Sequence, residues 1–114
     1  MITLSTHTLD SSNGQHAGGI NVSLYAIIDK NTSKEIWNKK TDKGGRLTVE
    51  FDIDSIYASG EFQLSFNIGS YFKTNSIGVQ ASAIALNIYL PSPSGNYHFP
   101  IIISPHGASL WWSN

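Results

Sequence analysis

The stretch Ile20-Asn21-Val22-Ser23-Leu24-Tyr25-Ala26-Ile27-Ile28 decides the fold class. Ile20, Val22, Leu24, Ala26 and Ile28 fall at every second position, so in an extended chain they share one face, with mainly polar residues on the other. That is the period of a half-buried antiparallel strand. On its N-terminal side, Gly18-Gly19 and Asp10-Ser11-Ser12-Asn13-Gly14 supply a loop, because Asn and Gly tolerate left-handed backbone and Asp or Ser side chains can bond the following amides. Before the loop, Ile2, Leu4 and Thr6 begin another alternation that runs to Asp10.

On the C-terminal side Asn31-Thr32-Ser33 breaks the strand. Glu35 to Lys39 and Leu47 to Phe51 then flank the turn Lys40-Thr41-Asp42-Lys43-Gly44-Gly45, which reads as a hairpin-like excursion. Phe62, Leu64, Phe66 and Ile68 repeat the alternation. Ala83 to Leu90 and Tyr97 to Ile103 complete the set, joined by Pro91-Ser92-Pro93-Ser94-Gly95-Asn96, where proline has no amide to lend a ladder. Seven or eight short strands at this spacing predict an all-β sandwich or barrel. Helix is confined to one or two turns, either Ser55 to Ala58 after an Asp52 or Asp54 cap, or Gly69 to Thr74.

With 114 residues the chain has room for one domain, 1–114, since halves would be too small to bury adequate cores. Of its 7 cationic residues only Arg46 is an arginine, and the formal net charge is −1, so there is no basic surface for phosphates or for an acidic membrane. Nucleic acid and membrane are therefore not expected partners. Cysteine is absent, so stability must come from packing rather than disulfides or thiolate metal sites. Charged residues make up 13%, against roughly 25% in ordinary soluble domains, which hints at an oligomer hiding part of its exterior. Met1 to His7 has neither a positive n-region nor an apolar run, and no stretch approaches the ~18 apolar residues of a spanning helix. A soluble, cytoplasmic protein is the expectation.

The reactive inventory is short: 4 histidines (His7, His16, His98 and His106), one arginine, 8 carboxylates and many hydroxyls. No phosphate loop, nucleophile elbow or His-Glu-x-x-His pattern is present. His7, Arg46 and His98 stand beside strands or turns from which side chains can project at one end or face of a sandwich. By residue type alone, a lone histidine in a β-protein is usually a surface or hydrogen-bonded residue, and Arg46 after Gly44-Gly45 is ordinarily solvated loop charge. No histidine pair has the i, i+2 or i, i+4 spacing of a zinc-ligand cluster, so neither metal nor other cofactor is expected.

Three stretches together carry a resemblance. They are Leu4-Ser5-Thr6-His7-Thr8-Leu9-Asp10 with Ser12-Asn13-Gly14; Thr41-Asp42-Lys43-Gly44-Gly45-Arg46; and Tyr97-His98-Phe99-Pro100-Ile101-Ile102-Ile103-Ser104-Pro105 with Gly107. In this order, from first residues to last, they resemble the 5-hydroxyisourate hydrolases of the transthyretin-like family. Gly60 to Phe66 and Tyr71-Phe72-Lys73 fall where that family has a Gly-x-Tyr-x-Leu-x-Phe strand and a Tyr-Phe helix. The resemblance implies an eight-stranded transthyretin-type antiparallel β-sandwich, the helix near Ser70 to Thr74, and a dimer of dimers with active sites in a channel where dimers meet. It also implies that His7, Arg46 and His98, which match the family's pocket residues, act on a purine-derived small molecule.

Three departures bear on that expectation. Asn96 stands for the first histidine of the family's His-Tyr-His, and Val79-Gln80-Ala81-Ser82-Ala83 lacks the family's proline. Trp111-Trp112-Ser113-Asn114 replaces a terminal Tyr-Arg-Gly-Ser that helps form the hydrolase pocket. Ser113 or Asn114 would take over the lost serine's hydrogen bonds, and Trp111 would stack on substrate or, with Trp112, be buried between subunits. Three function classes follow: a 5-hydroxyisourate-type ring-opening hydrolase, a relative acting on another heterocycle, and a non-catalytic binding module of the same fold.

Overall fold

In the computed structural model, which describes residues 1–53 and 60–113, the alternation resolves into ten strands and one helix. The strands are β1 (Ile2–Asp10), β2 (Gln15–His16), β3 (Asn21–Asp29), β4 (Thr32–Lys40), β5 (Arg46–Phe51), β6 (Glu61–Asn67), β7 (Ile84–Tyr89), β8 (Gly95–His98), β9 (Ile101–Ser104) and β10 (Gly107–Leu110); helix α1 (Ile68–Thr74) follows β6. One sheet has the order β4-β3-β6-β7. The other runs β10-β9-β1-β2, with β5 and β8 also pairing with β1.

The two sheets bury their apolar faces against each other. Val22, Leu24, Phe62, Leu64 and Phe66 from one meet Ile2, Leu4, Ile101 and Ile103 from the other, all at 0–1% exposure. Fully burying such side chains is worth ~1.5–3 kcal/mol each before the entropy of ordering them is subtracted. Helix α1 opens on Asn67, whose side-chain oxygen accepts from the Ser70 amide at 3.2 Å, and buries Ile68 and Phe72. Of the two helix candidates, the one near Ser70 is realised; Ser55 to Ala58 lies outside the described residues. No helix among the described residues is long and apolar enough to cross a membrane.

Four details differ from the sequence expectation. Tyr97 to Ile103 is not one strand but two, β8 and β9, because Pro100 has no amide hydrogen to continue the ladder. With the added two-residue β2, this raises eight strands to ten. The pairings are antiparallel except that β8 and β9 run parallel to β1. The chain leaving β7 crosses to the other sheet and comes alongside the free edge of β1 in the same direction. Ile28, in phase with the buried face, is 48% exposed. The β3–β4 ladder shifts register after Leu24 and again after Ile27, and the hairpin end at Lys30 and Asn31 stands clear of the core.

Candidate functional site

Along β1, Ile2, Leu4, Thr6, Thr8 and Asp10 point into the sandwich, so Thr3, Ser5, His7 and Leu9 line the outer face. His7 lies where both edges of β1 change partner. On one edge β5 pairs with Ile2 to His7 and β2 with Leu9 and Asp10. On the other, β8 pairs with Ile2 to Ser5 and β9 with Thr8 to Asp10.

Arg46 is the direct cross-strand partner of His7. The turn before it is closed by Asp42, whose Oδ1 accepts from the amides of Gly44 and Arg46 at 2.9 Å each. Gly45 sits at φ 76°, and a Cβ there would collide with the carbonyl oxygen of Thr8. That close approach lets the Thr8 amide donate to the Gly45 carbonyl at 2.7 Å. It also places the neighbouring Gly44 carbonyl 3.1 Å from His7 Nε2.

The loop after β1 folds back on itself. Asp10 accepts from the Ser12 amide at 2.9 Å and the Gly14 amide reaches the Asp10 carbonyl at 2.9 Å, with Gly14 at φ 73°. This turn sets His16 opposite Leu9, diagonal to His7 on the same face. His16 Nδ1 lies 2.8 Å from His7 Nε2, so the two rings meet edge to edge, with centroids 4.9 Å apart and planes inclined by 29°.

From the other edge β8 presents His98 opposite Ser5, whose hydroxyl is 2.8 Å from His98 Nδ1. The backbone of His98 is held on its outer side by Ser113, through His98 N–H to Ser113 O at 2.9 Å and Ser113 N–H to His98 O at 3.0 Å. Trp111 and Trp112 are 44% and 63% exposed. Trp112, with Ser113, lines an apolar cleft of ≈ 400 Å³ whose walls include Ile88, Tyr97 and Phe99. Strand alternation puts Tyr97 and Phe99 on the opposite face of β8 from His98, so this cleft adjoins the histidine without containing it. Asn114 lies outside the described residues.

Burial, then the Arg46 guanidinium, lower the pKa of His7 below its ordinary value of 6.5; His16 and His98 add to this, and only the Gly44 carbonyl opposes it. His7 is therefore held as neutral imidazole at neutral pH beside the Arg46 guanidinium, which suits it to take a proton rather than give one. Among the described residues no group of His, Asp or Glu is arranged to hold a metal ion.

At the inner end of the loop Asp10 does a different job. Burial pushes its carboxyl up, but hydrogen bonds from the Ser12 and Tyr71 hydroxyls and the Ser12 and Asn13 amides outweigh this and leave it below its ordinary value. The Tyr71 hydroxyl donates to Asp10 Oδ2 at 2.8 Å and ties α1 to the end of β1.

The structure thus gathers His7, Arg46 and His98 on one outer face, brings Ser113 beside His98 by backbone pairing, and leaves Trp111 half exposed nearby. Two further residues join them. Ser5 is legible in principle, being two positions before His7 on the same strand and hence the same face. His16 carries no such signal, since its strand of two residues is too short to show a period.

The pattern of the HIUase/Transthyretin family matches residues 4–112. A 5-hydroxyisourate hydrolase of Halalkalibacterium halodurans is 30% identical over 112 residues, which span 95% of this chain and 94% of that protein. The structure of Klebsiella pneumoniae 5-hydroxyisourate hydrolase superposes with a TM-score of 0.79 at 25% identity, over 98% of this chain and 99% of that one. Transthyretin from Sparus aurata shares the fold at a TM-score of 0.81 and 16% identity, over 96% and 95% of the two chains. Likeness that extends over nearly the whole length in sequence and in structure has one reading: the chain belongs to the HIUase/transthyretin family.

Proposed function

We propose that this chain is a ring-opening hydrolase acting on 5-hydroxyisourate or a close cyclic ureide of purine breakdown, with His7, Arg46 and His98 as its working residues. The observation that carries the reading is the convergence of these three groups, from distant parts of the sequence, on one face beside the point where β1 changes partners. The substrate class is taken from the names of the relatives, two of which are 5-hydroxyisourate hydrolases, and their likeness supports it.

In this reading His7 takes a proton from water as the water oxygen adds to the ring carbon of an amide-like bond. The carbon–nitrogen bond then breaks and the departing nitrogen takes up a proton. Arg46 offers a planar pair of N–H donors to the urate-like oxygens and stabilises negative charge as it develops. His98, oriented by the Ser5 hydroxyl, holds or protonates the substrate. The exposure of Trp111 and Trp112 supports assembly as a homotetramer in which dimers cover this face and complete the pocket. Ser113 supplies polar contacts there in place of the family's terminal serine.

A second reading, a different heterocyclic substrate, is favoured by one observation: the tail that pairs with His98 ends in Trp-Trp-Ser-Asn. The experiment generates 5-hydroxyisourate from urate with urate oxidase and follows its decay with and without the protein. It includes a variant whose residues 111–114 are rewritten as Tyr-Arg-Gly-Ser. Acceleration by the wild type supports the hydrolase; an inactive wild type beside an active rewritten tail supports the second reading.

A further inference from the structure

We propose that His16 is a positioning residue for His7: it accepts a hydrogen bond from His7 Nε2–H and so leaves the His7 lone pair on Nδ1, free to take a proton from water. The proposal rests on the reading of His7 as the base. It starts from the two neighbours of His7 Nε2, the Gly44 carbonyl oxygen at 3.1 Å and His16 Nδ1 at 2.8 Å. A carbonyl oxygen only accepts. A lone pair on Nε2 would face that oxygen unfavourably, so Nε2 carries the proton and shares it between the carbonyl and the unprotonated Nδ1 of His16.

The groups around the pair reinforce this assignment. The Arg46 guanidinium faces His7 from β5, and His98 lies on the same face from β8. Lys43 lies beside His16, lining the same shallow surface with Leu9 and Gln15. The nearby carboxylates are committed elsewhere: Asp42 Oδ1 to the amides of Gly44 and Arg46, and Asp10, on the inner face, to Ser12 and Tyr71. Neither of these carboxylates is hydrogen-bonded to the two rings.

Two N–H groups cannot face each other at hydrogen-bonding distance, so with hydrogen on His7 Nε2 the His16 Nδ1 must present its lone pair to it, and the one remaining lone pair of His7 lies on Nδ1.

The test follows the histidine ring nitrogens of 15N-labelled protein by NMR, which needs no substrate. In the wild type, neutral His7 is the Nε2–H tautomer and its Nε2 shows a coupling across the hydrogen bond to His16 Nδ1. In His16→Phe, which removes the acceptor, that coupling is lost and the Nδ1–H tautomer of His7 gains. His16→Asn, whose side-chain oxygen restores an acceptor, returns the Nε2–H environment. With 5-hydroxyisourate, His16→Phe lowers kcat about tenfold with KM within about twofold, as expected for loss of one hydrogen bond that orients the base, and His16→Asn recovers most of it. Absence of that coupling in the wild type, or an unchanged His7 tautomer in His16→Phe, overturns the pairing. An unchanged kcat in an active His16→Phe overturns the positioning role even where the two rings are coupled. A coupled pair in a wild type that leaves 5-hydroxyisourate untouched overturns that compound as the substrate, while the hydrogen-bonded pair itself stands.

Discussion

The two sheets are built from the same alternation and differ in continuity. In the four-stranded sheet β3 keeps β4 on one edge and β6 on the other along most of its length, and its registers run through Val22, Leu24 and Ala26 into the core. In the other sheet β1 changes partner midway on both edges, from β5 to β2 and from β8 to β9. Each break delivers something an unbroken strand would not: the Gly44 carbonyl and Arg46 at one, His16 beyond it, and His98 just before Phe99-Pro100 at the other. Both sheets build the core, and only the second gives up ladder continuity, where it holds a cluster of polar groups.

The largest effect belongs to the continuous sheet. Phe62→Ala removes a fully buried ring from β6 and is expected to cost ~3–5 kcal/mol in urea unfolding. Next comes the tie between the sheets' ends. Tyr71→Phe deletes the hydrogen bond to the charged Asp10 and is expected to cost ~1.5–3 kcal/mol at neutral pH. Because the folded pKa of Asp10 lies below its ordinary 3.8, its contribution is complete above 3.8 and is lost as pH falls through the folded value. The difference between wild type and Tyr71→Phe should therefore shrink in acid unfolding experiments.

Gly45→Ala tests the break itself. A side chain at φ 76° costs ~1–2 kcal/mol from backbone strain, and the clash with the Thr8 carbonyl adds to it and pushes Arg46 away from His7. Loss of activity beyond the loss of folded protein would locate the effect in the site. The smallest effects lie on the open face. Arg46→Ala should change stability by less than ~0.5 kcal/mol. His7 adds a shallow pH dependence of opposite origin to that of Asp10. Its folded pKa is lowered, so as pH falls below 6.5 the unfolded chain binds the proton first, and stability declines until the folded value is reached and then levels off.

Much of this architecture is legible in the sequence because alternation and turn chemistry are local. The buried faces of β1, β3 and β6 follow from period two, and the Asp42-to-Arg46 turn from its Asp and glycines. What escapes is what depends on neighbours distant in sequence. The parallel pairing of β8 and β9 with β1 is a matter of which edge is free, and the split at Pro100 is hidden inside an apolar run. His16 is the sharpest case, since the loop residues that aim it at His7 read only as turn formers. Ser113 is named from the resemblance for its side chain, whereas what ties it to His98 is its backbone, which is the same for any residue but proline.

The central claim is that the discontinuous face does chemistry through His7, Arg46 and His98, and single-site kinetics on freshly generated 5-hydroxyisourate test it most directly. His7→Ala, Arg46→Ala and His98→Ala are first matched to wild type by urea midpoint and by sedimentation. The account predicts that each retains the fold and loses roughly 10²–10³ in kcat/KM, the scale of one general base or one transition-state donor. An active wild type whose rate is unchanged in all three variants would contradict it.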